Sequence, residues 1–503
     1  MIASHRDPIQ RIKRIDDGPA QPKGVEVLKQ NYINGQYVNG STARDNINPS
    51  NTSEIVGVYT QANAAQTRDA IDVADVAAKS WSHSTPQQRF DVLDAIGTEL
   101  LARKAELGEL LSREEGKTLA EGIGETARAG QIFKFFAGEA LRLKGDKLAS
   151  VRPGVEVEVV REALGVVGII TPWNFPIAIP AWKIAPAICY GNAIVFKPAD
   201  LVPGCGWALA DIISRSGLPE GVFNLVMGRG SVVGEEILTN PKVNGVSFTG
   251  SVATGRHVAA TCAGRMAKFQ LEMGGKNPLV VLDDANLDIA VETAVQGAYF
   301  STGQRCTASS RLIVTEGVHD EFVAKVITRL EQLKIDNALS DGVHIGPVVD
   351  ESQLKQDLDY IRIGQDEGAK LAYGGELLER ATKGFYLSPA LFTETANSMR
   401  INREEVFGPV ASVIRVADYD QALAVANDTE FGLSSGICTT SLKYASDFKR
   451  NAKAGMAMVN LPTAGVDYHV PFGGTKGSSY GSREQGSYAA EFFTTVKTAY
   501  TLP

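Results

Sequence analysis

Between about residues 64 and 144 the apolar positions recur three and four apart, as in Phe90, Val92, Leu93, Ile96, Leu100 and Leu101. That spacing lines one face of a 3.6-residue turn and predicts a run of amphipathic helices. From 165 onward the rhythm changes, with short apolar runs at 165–170, 193–196, 222–227, 244–248 and 268–271 separated by segments of helical patterning. Unbroken apolar runs suit strands covered on both faces, so this alternation predicts βαβ units around a parallel sheet. A second alternation follows: a strand over 278–282, a helix over 286–300, the strand Arg311-Leu312-Ile313-Val314 and a helix over about 317–334, together a second α/β domain. Ahead of both, Asn34-Gly35 between Tyr32-Ile33 and Tyr37-Val38 is a strong hairpin signal. The uncharged stretch from Ala163 to Trp182 is long enough to cross a bilayer, but Pro172, Pro176, Pro180, Gly165 and Gly168 break it; it reads as a buried strand followed by a loop. The first thirty or so residues, polar and punctuated by proline, read as an arm outside the core.

Composition narrows the possibilities. At 503 residues the chain has room for two to three domains. Fifty Lys and Arg against 58 Asp and Glu give a net charge of −8, the wrong sign for a surface that attracts phosphate backbones, which argues against nucleic-acid binding. With 44% hydrophobic and 21% charged residues the chain has an ordinary globular composition. Its first residues lack the apolar stretch of a secretory signal, and its five cysteines show no close pairing; a reducing, cytoplasmic setting away from membranes is expected.

Few segments carry chemistry by local pattern alone. Gly228-Arg229-Gly230-Ser231-Val232-Val233-Gly234 follows an apolar run and opens a helical one, but its third glycine comes one position late for a dinucleotide fingerprint. Gly275-Lys276 lacks both the first glycine and the hydroxyl of a P-loop. Cys189, Cys262 and Cys438 lie among small or apolar residues and read as packing. Cys306 differs: Phe300-Ser301-Thr302-Gly303-Gln304-Arg305-Cys306-Thr307 closes a helix in a glycine-containing turn, where an accessible thiol beside a cation would favour the thiolate. Glu272 directly follows an apolar strand; by local pattern it reads first as a solvated loop carboxylate. His469 reads as a hydrogen-bonded loop residue, and no short-spaced His or Cys pair suggests a metal site.

Taken in order, Thr171-Pro172-Trp173-Asn174-Phe175-Pro176, Phe196-Lys197-Pro198-Ala199-Asp200, Phe248-Thr249-Gly250-Ser251, Leu271-Glu272-Met273-Gly274-Gly275-Lys276, Gly303-Gln304-Arg305-Cys306, Glu405-Val406-Phe407-Gly408-Pro409 and Pro471-Phe472-Gly473-Gly474 resemble the motifs of the aldehyde dehydrogenase superfamily. The resemblance runs from about Tyr32 to the C-terminus. Within the family, the run from Pro462 to Gly474 with Lys476-Gly477-Ser478-Ser479 is similar to the subgroup acting on 2-oxoglutarate semialdehyde, although Thr475 and Ser482 stand where that subgroup is expected to carry Arg and Pro.

The resemblance implies an α/β fold: a Rossmann-like coenzyme domain (31–141 and 162–274), an α/β catalytic domain (275–474) and a small β oligomerisation element (142–161 and 488–503), behind an N-terminal arm (1–30). Val151-Arg152-Pro153-Gly154-Val155 suits the turn of a hairpin and Thr494-Thr495-Val496-Lys497-Thr498 a terminal strand, edges that a second subunit would cover in a homodimer or homotetramer. The implied activity is oxidation of a small aldehyde to its acid with NAD or NADP. Cys306 would be the nucleophile, Asn174 and the Cys306 N–H the oxyanion donors, and Glu272 the base that hydrolyses the thioester, with Lys197 also in the catalytic set. Relatives that pass the acyl group to coenzyme A commonly lack that carboxylate.

For the cofactor, the resemblance puts Lys197 and Asp200 at the adenosine ribose and Gly230 near the adenine. Gly250 and Ser251 would lie near the pyrophosphate, and Glu405 and Phe407 beside the nicotinamide ribose. Ile170, Thr171, Pro172, Trp173, Ala199, Phe248, Thr249, Thr254 and Leu271 complete that site. Arg128, Gln131, Phe175, Trp182, Arg305, Val466 and Phe472 would line the aldehyde tunnel, with Arg128 and Gln131 on one helix face. A relative that had lost the chemistry would lack Cys306, Glu272 or Asn174, and a cysteine hydrolase would need a histidine that none of these segments contains.

Overall fold

A computed structural model describes residues 28–503; most of the expected arm, residues 1–27, lies outside the described residues. The hairpin signal is realised by β1 (Asn31–Ile33) and β2 (Gln36–Val38). Asn34 and Gly35 both take positive φ, 50° and 80°, as a two-residue turn matched to strand twist requires. A two-stranded ribbon, β3 (Thr42–Asn48) and β4 (Asn51–Gln61), leads into the helical layer.

That layer is α1 (Ala64–Trp81), α2 (Pro86–Ala102), α3 (Lys104–Glu115) and α4 (Leu119–Ala140). Capping boxes at Asn63/Gln66, Thr85/Gln88 and Thr118/Glu121 start α1, α2 and α4 by pairing otherwise orphaned N–H groups. Gly116, at φ 92°, stops α3 in a left-handed turn. The predicted apolar face of α2, with Leu93, Ile96 and Leu100 fully buried, joins Ile132, Phe133 and Phe136 of α4 in one core cluster. A Cβ on Gly97 would lie 2.9 Å from the Gly130 carbonyl oxygen, so glycine lets these two helices nearly touch.

The chain next forms an antiparallel pair, β5 (Asp146–Ala149) and β6 (Glu156–Ala163), then β7 (Val166–Ile170), α5 (Ala178–Cys189), β8 (Ala193–Lys197), α6 (Pro203–Ser214) and β9 (Phe223–Leu225). After α7 (Glu235–Thr239) come β10 (Val243–Thr249), α8 (Val252–Gly264) and β11 (Lys268–Glu272). The five predicted strands pair in parallel in the order β11-β10-β7-β8-β9.

Two expectations need correction. The sheet is mixed, because the hairpin adds at one edge and a two-residue strand, Ser479–Tyr480, adds antiparallel at the other. The uncharged stretch also ends in a helix, α5, which begins at Ala178. Pro180 falls in its first turn, where a missing N–H breaks no helical bond, so a proline read as a breaker is compatible with helix.

The second alternation forms its own sheet. It begins with β12 (Pro278–Val281), α9 (Leu287–Tyr299), β13 (Arg311–Thr315) and α10 (His319–Glu331), as predicted, and continues through α11 (Glu351–Asp366). Strands β14 (Lys370–Tyr373), β15 (Ala390–Thr393), β16 (Val410–Val416), β17 (Ser434–Cys438) and β18 (Met456–Val459) complete the order β14-β15-β16-β13-β12-β17-β18. With Ser479–Tyr480 as β19, the terminal β20 (Thr494–Thr501) pairs along β6, giving a small sheet β20-β6-β5 on which Leu148, Val160, Val496 and Tyr500 are exposed. No helix among the described residues is long and apolar enough to cross a membrane. In the first sheet strand order reverses between β7 and β10, and a crevice opens beyond the carboxyl ends of strands at such a reversal.

Candidate active site

Cys306 follows a turn with unusual backbone. After α9, Ser301, Thr302 and Gly303 take φ values of 52°, 57° and 66°, three successive residues in the left-handed region. Such conformations cost side-chain-bearing residues energy and persist only where neighbours enforce them. Glu121 of α4 does so: its Oε1 accepts from the Ser301 N–H (2.9 Å), the Ser301 hydroxyl (2.8 Å) and Arg305 (3.0 Å). A Cβ on Gly303 would overlap the Gly408 carbonyl, so only glycine fits there.

The turn delivers Cys306 to the meeting point of two cavities. One, of about 310 Å³, lies between α4, α5 and the 464–472 loop; of the expected tunnel residues Arg128, Phe175, Trp182, Arg305, Val466 and Phe472 line it, and Trp182 stacks on Phe472 at 5.2 Å. Gln131 is exposed and outside this wall. Three residues fall about 60° short of a full turn from Arg128, and that angular offset carries Gln131 to the solvent side of α4. The other cavity, about 240 Å³, lies beyond the ends of β7 and β10 and is lined by Pro172, Trp173, Asn174, Thr249, Gly250, Ser251, Glu405 and Phe407.

The electrostatics around the thiol differ from expectation. Arg305 does not face Cys306; its guanidinium is committed to Glu121 and to the Ser301 hydroxyl. Burial therefore dominates and pushes the thiol up to about 12, helped by the charges of Glu405 and Glu272. The same residues give a buried carboxylate where a solvated one was read. Glu272 closes β11 at 3% exposure, accepts a hydrogen bond from the Ser479 hydroxyl and lines neither cavity. Burial first, then the charge of Glu484, hold its carboxyl well above the usual carboxylate range.

Asn174, also buried, donates one amide hydrogen to the Gln304 carbonyl at 2.9 Å and borders the cavity that Cys306 opens into, leaving its second hydrogen unspent. Lys197 lines neither cavity with Cys306. Its ammonium donates to the Pro198 carbonyl (3.0 Å) and to Asp200 (3.4 Å), an arrangement suited to a ribose.

The second cavity has the features a dinucleotide needs. Ser251 caps α8 by accepting from the Thr254 N–H, which aims the first N–H groups of a 13-residue helix at the space beyond β10. The buried hydroxyls of Thr171 and Thr249 have no partner among the described residues, as expected of groups that wait for a ligand. Ile170 ends β7, Ala199 and Asp200 follow the end of β8, and Gly230 opens a short helical turn after β9, whereas Phe248 and Leu271 sit in the core. Glu405 accepts from the Gly275 N–H (2.8 Å), with its carboxyl pushed up by burial to about 7, and Phe407, at φ 65°, meets Trp173 edge to face.

Several functional side chains were not anticipated. Gln353 and Gln356 of α11 line the second cavity, and Lys117, Glu121 and Glu125 the first. Lys183 of α5 is fully buried, paired with Glu484 and with the Ser247 hydroxyl at 2.9 Å. Lys183 had a signal: it is the one charge in the run from Ala163 to Phe196, and a charge in such a run must find a partner.

Comparison with known proteins bears on this geometry. The model of the aldehyde dehydrogenase family matches residues 37–499. Alpha-ketoglutaric semialdehyde dehydrogenase of Bacillus subtilis is 42% identical over 94% of this chain and 98% of its own. Alpha-ketoglutarate semialdehyde dehydrogenase of Haloferax volcanii is 43% identical over the same shares. The crystal structure of betaine aldehyde dehydrogenase from Staphylococcus aureus in complex with NAD+ superposes with a TM-score of 0.92 at 32% identity, covering 94% of each chain. Likeness of that extent, over a chain folded around a cysteine between two cavities, identifies it as a member of the aldehyde dehydrogenase family.

Proposed function

We propose that the protein oxidises 2-oxoglutarate semialdehyde to 2-oxoglutarate, with NAD or NADP, through a thioester on Cys306. The observation that carries the substrate class is Arg128. Of the cations on the aldehyde cavity, Lys117 is paired with Glu125 and Arg305 with Glu121, whereas Arg128 makes no ion pair among the described residues. Among the described residues its one hydrogen bond goes to a neutral partner, Gln485 Oε1 at 3.2 Å, and its buried Nε has none. A half-buried guanidinium with unspent donors on a cavity wall calls for a carboxylate. The Bacillus and Haloferax relatives carry the name of such a substrate.

In this mechanism the Cys306 thiol gives up its proton to solvent, its sulfur adds to the aldehyde carbon, and the oxyanion is met by the Asn174 amide and the Cys306 N–H. Each such donor is worth about 3–4 kcal/mol. Glu405, Phe407 and Trp173 would hold a nicotinamide in the second cavity, where it would serve as hydride acceptor. The thioester that remains is cleaved by water deprotonated by Glu272, which must leave Ser479 and turn toward Cys306 to act. Burial raises the proton affinity of that carboxyl, which strengthens it as an acceptor for the water's proton.

Domain limits of 31–141 with 162–274, 275–474, and 142–161 with 488–503 are consistent with the three main sheets, except that β19 joins the first sheet from beyond them. The exposed apolar residues on β5, β6 and β20 support closure by a second subunit, as a homodimer or homotetramer. A nucleophile that acts as a free thiol supports a reducing, cytoplasmic location.

A panel of aldehydes compared by kcat/KM, followed by absorbance at 340 nm, tests the substrate. The expected order puts 2-oxoglutarate semialdehyde above succinate semialdehyde and glutaraldehyde, with betaine aldehyde last; a preference for betaine aldehyde would overturn the assignment. Nucleotide choice has its own test. Asp200 lies 3.4 Å from Lys197 and 4.0 Å from Arg44, two cations that offset its repulsion of a 2′-phosphate. Both nucleotides should therefore be used, with kcat/KM values within about two orders of magnitude, or roughly 2.8 kcal/mol. Asp200→Ser should shift preference toward NADP. Discrimination beyond about a thousandfold in the wild type, or no shift in the variant, would show that another residue reads the 2′ position.

A further inference from the structure

We propose that the buried ion pair Lys117–Glu125 is a clamp that positions the oxyanion donor Asn174, so that Lys117 governs thiol addition by holding the backbone that carries Asn174. The inference rests on the role given above to the Asn174 amide. Lys117 sits in the short link between Gly116, which ends α3, and Thr118, which caps α4, and is fixed from both sides. Its ammonium lies 2.9 Å from Glu125 Oε2, donates to the Asn174 carbonyl and rests 3.8 Å from the centre of the Phe175 ring. The other oxygen of Glu125 accepts from the Ile177 N–H at 3.0 Å and the Ala178 N–H at 3.1 Å. Both ends of the segment 174–178 are thus tied to one ion pair, rooted on α4.

The pair's side chains are 1% and 2% exposed, so neither solvent nor salt loosens it. Buried pairs contribute little net stability for their desolvation cost; setting a geometry is a better account of this one. What it sets is the direction of the unspent amide hydrogen. Asn174 already gives one hydrogen to Gln304 O on the nucleophile's turn, so the clamp and that bond together fix the side chain from its two ends. Relaxing the backbone anchor swings the second hydrogen off the oxyanion while leaving the residue in place. Lys117 and Glu125 are therefore positioning residues.

The test is a double-mutant cycle on the single-turnover rate of reduced-cofactor formation with saturating aldehyde. Lys117→Met should lower that rate about tenfold, a fraction of the loss for a donor misplaced by a whole ångström. The KM for NAD should stay unchanged. Asn174→Ala should lower the rate by about 10² to 10³. In the Asn174→Ala background, Lys117→Met should cost less than about twofold, because the group it positions has gone. Glu125→Gln keeps a carbonyl oxygen for the two N–H groups and removes only the charge. It should show the same loss of effect in the Asn174→Ala background, and it serves where Lys117→Met does not fold. Losses that multiply in the double variants, or folded single variants with wild-type rates, overturn the clamp. An Asn174→Ala enzyme of undiminished rate overturns the oxyanion role and the clamp with it, whereas a slow Asn174→Ala enzyme with multiplying doubles overturns the clamp alone.

Discussion

Glu272→Gln is expected to lower steady-state turnover by a factor of about 10² to 10⁴, the range for a lost general base, while retaining much of the first-turnover burst of reduced cofactor. The split follows from where the carboxyl sits. Glu272 is held by Ser479 at the end of β11 and lines neither cavity, so thiol addition and hydride removal proceed beside it without its contact. Only the attacking water needs it. Gln is nearly isosteric and can still accept from Ser479, so the change removes proton affinity and little else. Cys306→Ala, in contrast, should abolish burst and turnover together. Rapid mixing with absorbance at 340 nm separates the two. A Glu272→Gln enzyme lacking its burst would mean that this carboxylate also deprotonates the thiol, a demand made plausible by a thiol pushed up to about 12.

Arg128→Met should lower kcat/KM for aldehydes bearing a distal carboxylate by about 10- to 100-fold, the worth of one charge-assisted pair, and leave neutral aldehydes nearly unaffected. Methionine keeps the length of the stem against Trp182, whose ring lies 5.9 Å from the guanidinium carbon. The cavity wall therefore survives, and the comparison isolates the charge. Equal losses for both substrate classes would show that Arg128 shapes the tunnel without pairing with the substrate.

Much of the fold was legible because its signals are local. Asn34-Gly35 dictates its own turn, and the apolar runs from 165 to 271 become parallel strands because each is a complete instruction within a few residues. β19 carries only two residues and no periodicity, so pairing with β11 alone defines it. The start of α5 was hidden by Pro180, since a helix's first turn and a loop accept proline equally. The motif residues Cys306 and Asn174 were legible as a set, and the structure brings them together. What escaped were pairings across long distances in the chain, such as Lys117 with Asn174 and Lys183 with Glu484, which no spacing rule encodes. The expected help of Arg305 to the thiol failed for the same reason: its partner, Glu121, comes from the helical layer.

The turn that carries Cys306 bears on the order in which the molecule is built. Its left-handed residues, Ser301 to Gly303, are held by Glu121, 180 positions earlier in the chain. Each half of that contact folds with a different sheet or layer, so the turn has nothing to hold its shape until the two have docked. A growing or half-folded chain consequently carries at position 306 an unremarkable cysteine in a relaxed loop. The geometry that turns the residue into a catalyst arrives only once α4 and the turn have met, which keeps an aldehyde-seeking nucleophile out of action until the two are joined.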